Sequence, residues 1–143
     1  MTKYTYIQST GQLLKDGIVI GVGYSGLPPG KNDPSMQDIP DVGPIPIGIY
    51  TCGRPTNMEH LGPLVTQLIP NADNEMYGRS GFFIHGDSYS HPGLASEGCI
   101  IMPYVVREVI QEGDEITVVP TSFFVPINLE VADQIKMEEK ING

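Results

Sequence analysis

Glycine and proline recur along the chain, and their spacing is the feature that most restricts the fold. The 143 residues include 17 glycines and 13 prolines, so a long helix would meet a residue that breaks it before it could bury much apolar surface. Between these breakers lie short apolar or alternating runs, which are typical of strands. The pattern therefore predicts a mainly β fold built from short strands.

Eight segments have the composition of strands. The pairs Thr10-Gly11 and Asp16-Gly17 separate the first three, which predicts that the chain opens with a meander of adjacent strands. Residues 23–46 form a long Pro/Gly loop, and we expect it to form a wall of a substrate cleft. The predicted strands are residues 4–8, 12–15, 18–22, 48–52, 65–69, 82–85, 100–101 and 115–119.

The length and charge of the chain limit its function. The length fits a single domain, residues 1–143, with the tail from about residue 128 on its periphery and residues 121–126 as an extended segment. A net charge of −9 argues against nucleic acid as a partner, because binding to phosphates requires a cationic surface. No apolar run approaches the roughly 20 residues that span a bilayer, and the first residues lack the apolar part of a Sec signal.

A histidine and a cysteine at the ends of two apolar runs indicate nucleophilic catalysis. His85 ends the run that starts at Phe82, and Cys99 directly precedes the run that starts at Ile100. A cysteine attacks as its thiolate, and a nearby imidazole can lower the pKa of the thiol or take its proton. Gly98 would permit a tight turn and leave backbone N–H groups free to bind an oxyanion. The alternative is that both residues are ordinary parts of the core.

One helix is predicted just after this cysteine. It begins at Pro103, which suits a first helical turn, and it ends at Gly113. If its N-terminus faced Cys99, the helix dipole would favour the thiolate. The expected apolar face consists of Tyr104, Val105, Val109 and Ile110.

The other cysteine and the remaining histidines do not indicate a metal site. Cys52 lies in a predicted strand, as a core residue or as a resolving thiol within about 7 Å of Cys99 at the α-carbons. His60 and His91, taken with His85 and the cysteines, lack the spacing of zinc ligands. We therefore predict neither a metal ion nor a cofactor.

The residues around the cysteine resemble the active-site motif of the L,D-transpeptidases, in which a histidine and a short variable segment precede Ser-x-Gly-Cys. The resemblance implies an L,D-transpeptidase-like β-sandwich with one short helix after the cysteine. It also implies that the cysteine is acylated, that the histidine is its base, that a backbone carbonyl near Gly86 orients the histidine, and that the serine braces the turn. The matching residues are His85, Gly86, Ser96, Gly98 and Cys99.

Within that fold the chain is most similar to a subgroup of type VI secretion effectors, toxins that attack the peptidoglycan of rival bacteria. This similarity implies synthesis in the cytoplasm, delivery by the type VI apparatus and action in the periplasm of the target cell. The substrate would be the tetrapeptide stem, whose terminal D-alanine would be cleaved or exchanged, and the producing cell would need an immunity protein. The similar stretches are residues 24–26, 32–34, 43–50, 78–87 and 96–100.

Four further residues complete the predicted site. Arg79 would bind a substrate carboxylate in a bidentate way or cap its own turn. Tyr24 and Ser25 are suggested as lining groups by the resemblance alone, and Tyr24 could equally be a core aromatic residue. Asp87 would orient His85 or cap the loop of residues 87–93, which could cover the site.

Three other functions remain open, and one is a thiol redox sensor, which would need Cys52 within about 7 Å of Cys99 at the α-carbons. Glu97 stands where the larger family often has His or Thr, and a carboxylate beside the thiol would raise its pKa. That departure is compatible with a catalytically silent binding module of the same fold. A housekeeping L,D-transpeptidase that crosslinks the cell wall would share the site, but should carry an export signal or a wall-binding module.

Overall fold

A computed structural model describes residues 1–126, and pairs of short strands account for most of their regular structure. The helix α1 spans Tyr104–Arg107, and single turns of 3-10 helix lie at Pro34–Met36 and Ser122–Phe124. The prediction of a mainly β fold with one short helix is therefore confirmed for the described residues. The strands are β1 (Lys3–Ile7), β2 (Gln12–Lys15), β3 (Ile18–Val22), β4 (Tyr24–Ser25), β5 (Gly48–Cys52), β6 (Thr56–Met58), β7 (Gly62–Pro70), β8 (Phe83–His85), β9 (Ile100–Ile101) and β10 (Glu115–Val119).

All ten strands pair into one sheet of mixed direction. Its order is β3-β2-β1-β10-β5-β7-β8-β9-β4, and β6 pairs with β7 beside this path. Two of the pairs are parallel: β1 with β10, and β8 with β9. A parallel pair needs a connection that crosses over from one end to the other. Between β8 and β9 that connection consists of residues 86–99.

The opening meander is confirmed. β1 pairs with β2, and β2 pairs with β3, both antiparallel. The turn between β2 and β3 is Asp16-Gly17, with φ of 52° and 76°. Positive φ at both central residues is what a two-residue type I′ turn requires, and an Asp-Gly pair is well suited to it.

The loop predicted at residues 23–46 contains a strand that the sequence did not reveal. Its first part is β4, which pairs with β9 and sets Tyr24 opposite Ile101 and Ser25 opposite Ile100. A strand of two residues is too short to show an alternating pattern, so only its partner identifies it. The short strand β6 was missed for the same reason.

The helix is shorter than predicted and buries a different face. It ends at Arg107, and the N–H of Gly113 donates to the carbonyl of Cys52, 2.9 Å away, as the chain turns into β10. Because the chain bonds to the end of β5 at Gly113, it does not continue as a helix up to that residue. Of the four residues predicted to face inward, Tyr104, Val105 and Val109 are exposed and Ile110 is buried. The helix itself buries Val106 and Arg107.

Two further expectations concern the end of the chain. Residues 121–126 were predicted to be extended, but Ser122–Phe124 form a 3-10 turn. The expected peripheral tail from residue 128 lies outside the described residues. Across residues 1–126 no helix combines the length and the apolar character that crossing a bilayer demands.

The core fixes the orientation of the two strands that carry the motif. Ile84 of β8 and Ile100 of β9 are completely buried in the main hydrophobic cluster and lie opposite each other. Tyr50 and Ile116, from β5 and β10, belong to the same cluster. Because side chains alternate along a strand, the neighbours of both isoleucines point to the other side of the sheet.

Two glycines with similar backbone conformation test how closely two backbone segments approach each other in this fold. Gly11 has φ of 73° and a Cβ there would lie 1.9 Å from the carbonyl oxygen of Gly23, whereas Gly17 has φ of 76° and an open surrounding. We expect Gly17→Ala to cost about 1–2 kcal/mol through the left-handed conformation alone. Gly11→Ala should cost clearly more, because the backbone must also move. Chemical denaturation measures both; equal losses would contradict the close approach of Gly11 to Gly23.

Candidate active site

The pairing of β8 with β9 brings His85 and Cys99 to one side of the sheet. His85 lies opposite Ile101, and the residue before Ile100 is Cys99. Since Ile84 and Ile100 point into the core, alternation directs the side chains of His85, Ile101 and Cys99 away from it. His85 and Ile101 are nevertheless almost fully buried, whereas Cys99 is partly exposed, and the two side chains of the motif are offset along the strands.

The imidazole of His85 is held by its neighbour in the chain. Its Nδ1 lies 2.8 Å from the carbonyl oxygen of Gly86. A carbonyl can only accept, so Nδ1 carries the proton and Nε2 presents a lone pair. Burial is the main cause that lowers the pKa of His85, and the charge of Arg107 lowers it further, although Gly86 and Asp87 act in the opposite direction. The ring is therefore neutral near pH 7 and able to accept a proton.

The turn before Cys99 is organised by the hydroxyl of Ser96. Its Oγ donates to the carbonyl of Cys99, 2.5 Å away, and accepts from the N–H groups of Gly26 at 2.9 Å and Gly98 at 3.1 Å. The expectation that the Gly98 N–H is free for an oxyanion is therefore wrong, because Ser96 occupies it. Ser96 links the turn to the chain after β4.

Ser25 fastens the same turn from the other side. Its Oγ donates to the carbonyl of Gly98 at 2.8 Å and accepts from the N–H of Ile45 at 2.9 Å. The side chain is completely buried. The expectation that Ser25 lines a substrate site is wrong, because its hydroxyl is engaged inside the protein.

Arg79 is a structural clamp. Its Nη1 donates to the carbonyls of Gln37 at 2.6 Å and Pro44 at 2.8 Å, and its Nη2 donates to those of Gly43 at 3.0 Å and Glu97 at 3.3 Å. The four Nη hydrogens are thereby used, so bidentate binding of a substrate carboxylate is not available. The guanidinium instead ties residues 37–44 to the turn before Cys99.

Gly98 is required by this clamp. Its φ is 137°, and a Cβ at this position would lie 2.6 Å from Nη2 of Arg79 and 2.9 Å from the ring of Phe82. Arg79 in turn lies over that ring, 5.2 Å from its centre. Glycine before the cysteine therefore permits the close approach of the guanidinium.

The thiol of Cys99 is partly exposed in a small cleft of about 330 Å³ that Arg79, Glu97 and Phe82 also line. Its pKa is raised above 9.0, chiefly by burial and then by Glu97, while the N–H of Phe83 and the charge of Arg79 lower it. The predicted lowering of the thiol pKa is therefore wrong. Burial and the adjacent carboxylate outweigh the stabilising groups.

Cys99 and His85 open onto different clefts. Sγ lies 3.8 Å from the carbonyl of Gly81, and in residues 1–126 no hydrogen bond joins it to His85. The larger cleft, about 1210 Å³, is lined by His85 and by the start of α1, including Pro103 and Tyr104. The N-terminus of α1 therefore belongs to the histidine side, and it does not supply the positive end expected at the thiol.

Tyr24 and Asp87 form one wall of the larger cleft. The hydroxyl of Tyr24 donates to Oδ1 of Asp87 at 2.5 Å and accepts from the N–H of Ala95 at 3.0 Å. The carboxylate also accepts from the N–H groups of Ser88 at 2.8 Å and Gly93 at 3.1 Å. Asp87 thus caps the loop of residues 87–93 and makes no hydrogen bond to His85.

Arg107 is a residue of this cleft that the sequence did not single out. Its side chain is buried, and its Nε donates to the carbonyl of Met102 at 3.1 Å. Nη1 donates to the carbonyls of Pro63 at 2.6 Å and Leu64 at 3.3 Å. The available signal was an arginine between Val106 and Glu108 in a largely apolar stretch, but only the packing of α1 shows that it points inward.

Cys52 lies in the core. It is 1% exposed, and burial, followed by Asp114, raises the pKa of its thiol to about 12. Both cysteines are free thiols. Of its two interpretations, the structure supports the core residue. Among the residues that the structure describes, no three His, Cys, Asp or Glu side chains are grouped as metal ligands would be.

A family model described as the Tlde1 domain matches residues 21–115. The matched segment contains every residue that the sequence predicted for the site, among them His85 and Cys99, and it also contains Arg107. No curated protein matches the chain.

The raised thiol pKa predicts how Cys99 reacts with an alkylating reagent. The thiolate is the reactive form, so a pKa above 9.0 leaves Cys99 slower at neutral pH than a free cysteine, with a midpoint above pH 9. Rates of iodoacetamide labelling, followed by mass spectrometry from about pH 6 to about pH 11, measure this midpoint. Cys52 should stay unlabelled, and Cys99→Ser should remove the signal.

Replacement of Glu97 distinguishes the effect of its charge on the pKa of the Cys99 thiol from the effect of burial. Glu97→Gln should lower the midpoint and speed labelling at neutral pH about two- to threefold, an effect that shrinks with added salt because Glu97 is exposed. Glu112→Gln removes the same charge from an exposed site outside both clefts and should change nothing. A midpoint well below pH 8 in the unaltered protein would contradict the role of burial.

Proposed function

Since the chain belongs to the Tlde1 domain family of type VI secretion L,D-transpeptidase effectors, we propose that Cys99 and His85 carry out acyl transfer on the peptide stems of peptidoglycan. The resemblance inferred from the sequence is confirmed at the level of this family, and the protein is accordingly a type VI secretion effector that targets peptidoglycan. The observation that supports the proposal is the parallel pairing of β8 with β9, which sets His85 opposite Ile101, two residues after Cys99.

The reaction forms and then breaks a thioester. Sγ of Cys99 attacks the carbonyl carbon of the bond between meso-diaminopimelate and the terminal D-alanine, while Nε2 of His85 takes the thiol proton. The C–N bond breaks, and the imidazolium returns that proton to the departing amine. Water then hydrolyses the thioester in an L,D-carboxypeptidase reaction, or a D-amino acid takes the acyl group in an exchange. No electrons are lost or gained, so the reaction needs neither an oxidant nor a reductant.

The protonation states of His85 and Cys99 suit a base that removes the thiol proton while the thiol attacks the substrate. Burial favours the neutral imidazole of His85 and the neutral thiol of Cys99, so the thiolate forms as the thiol meets the base and the substrate. The proposal requires Sγ, which lies 3.8 Å from the carbonyl of Gly81, to move toward the imidazole when the substrate binds. Catalytic hydrogen bonds are often long or misaligned without substrate and tighten in the complex.

The oxyanion needs a donor other than the N–H of Gly98, which is bonded to Ser96. We assign this role to the N–H of Cys99 itself. The turn that carries it is fixed from three directions by Ser25, Ser96 and Arg79. A donor that is already held in position stabilises a developing charge without further reorganisation.

Membership of the family supports the remaining parts of the proposal. The protein is made in the cytoplasm and acts in the periplasm of a target cell after delivery by the type VI apparatus. A cell that produces it needs a cognate immunity protein. A housekeeping role in crosslinking has no separate observation in its favour.

A catalytically silent binding module is the second candidate. The raised thiol pKa, to which Glu97 contributes, and the separation of Sγ from His85 into different clefts favour it. Such a module would bind stems without changing them. It predicts that a Cys99→Ala variant retains every measurable property of the protein.

Incubation with tetrapeptide muropeptides distinguishes these functions. We expect the protein to release D-alanine, or to replace it when another D-amino acid is added, as followed by mass spectrometry. Cys99→Ala should abolish the reaction, and His85→Gln should slow it by roughly 10²- to 10⁴-fold, the usual worth of a general base. Cys52→Ala, which removes the core thiol, should remain active. Stems left unchanged by the unaltered protein would end the enzyme proposal in favour of the silent module.

A further inference from the structure

Arg107 has one part of its guanidinium without a protein partner. Nε and Nη1 donate to the carbonyls of Met102, Pro63 and Leu64, whereas in residues 1–126 Nη2 makes no hydrogen bond. The side chain is only 7% exposed and lines the larger cleft beside His85. A buried cation that keeps unused donors at the wall of a cleft is arranged to receive an acceptor from outside.

The comparison with Arg79 shows that the free donors are specific to Arg107. Both arginines are buried, and both bind backbone carbonyls without a carboxylate partner. Arg79 uses both Nη atoms in this way, the second on Gly43 and Glu97. Arg79 therefore keeps no Nη donor for a ligand, whereas Arg107 is anchored by Nε and Nη1 and presents Nη2.

The charge of the cleft makes an anion the natural acceptor. The acidic residues that line it are Glu59 and Asp87, and Asp87 is already bound to Tyr24 and to backbone N–H groups. Arg107 is thus the one arginine or lysine on the described lining. In a chain with a net charge of −9, an anionic substrate would be repelled unless a cation met it here.

Gly86 sets the distance between this cation and the candidate base. Nη2 of Arg107 lies 2.7 Å from the point that a Cβ of Gly86 would occupy, so the missing side chain leaves room for the guanidinium. The carbonyl of the same glycine holds Nδ1 of His85. The imidazole of His85 and the free donors of Arg107 therefore both lie next to Gly86.

We propose that Nη2 of Arg107 binds the free α-carboxylate of the residue that leaves when the peptide bond is cleaved. The proposal rests on the function above and names what the site recognises: a peptide whose scissile bond is followed by a single C-terminal residue. The amine nitrogen and the carboxylate of that residue share one Cα, so they lie about 3 Å apart. The group that protonates the amine and the group that binds the carboxylate must accordingly be neighbours, as His85 and Arg107 are.

This arrangement selects stems that end in a free carboxylate. A carboxamide presents N–H groups where Arg107 offers its own donors, and a longer peptide places a neutral amide at that point. Loss of a hydrogen bond to a charged group typically reduces affinity by roughly 10- to 100-fold. We expect the free acid to bind and react better than its amide by that factor.

Binding to the Cys99→Ala protein tests the inference without requiring turnover. A tetrapeptide stem ending in D-alanine and the same stem ending in D-alaninamide are titrated by calorimetry, at a fixed salt concentration. The acid should bind roughly 10- to 100-fold more tightly. Adding Arg107→Gln should weaken binding of the acid to the level of the amide, and Arg107→Lys should restore part of the preference for the acid. Arg54→Gln removes a charge from an exposed site outside the cleft and should leave that preference intact.

The outcomes separate this inference from the proposed function. Equal binding of acid and amide to the Cys99→Ala protein overturns it, even if the unaltered protein releases D-alanine. A preference for the acid that depends on Arg107 supports it, even if no release is seen. If the Arg107 variants fail to fold, as judged by thermal unfolding, the ratio of kcat/KM for acid and amide with the unaltered enzyme decides: a ratio near one overturns the inference.

Discussion

The parallel pairing of β8 with β9 is the constraint on which the site depends. Ile84 and Ile100 lie opposite each other and are completely buried, so the alternation of side chains places His85 and Cys99 on the side away from the core. The same pairing requires a crossover connection. That connection supplies both the loop capped by Asp87 and the turn organised by Ser96. One pair of core residues thus positions both candidate catalytic side chains.

Two buried arginines stabilise the irregular segments around this pair. Loop carbonyls have no ladder partners, and a guanidinium offers five donors that can satisfy several of them. Arg79 joins residues 37–44 to the turn before Cys99, and Arg107 joins the start of β7 to the end of β9. Burial lowers the pKa of both, and at Arg79 the charges of Asp41 and Asp38 offset part of this effect. Their charges act on opposite sides of the site: Arg79 favours the thiolate of Cys99, and Arg107 favours the neutral form of His85.

Sequence patterns predicted the elements whose causes are local. The strand containing Ile84, the meander with its Asp16-Gly17 turn and the family itself followed from runs of neighbouring residues. Elements that depend on a distant partner were missed or misjudged. β4 exists because β9 lies beside it, and the helix ends at Arg107 because the following chain joins the sheet.

The sequence by itself determined which reactive groups the protein carries and in what order, because residue types and local turns are properties of the chain. Only the tertiary structure decided how those groups are used. The N–H of Gly98 is occupied by Ser96, Ser25 is sealed inside, and of two similar arginines only Arg107 keeps donors for a ligand. The physical reason is that hydrogen-bond partners and burial come from segments far apart in the chain. The same burial raises the pKa of the Cys99 thiol, which no local motif could show.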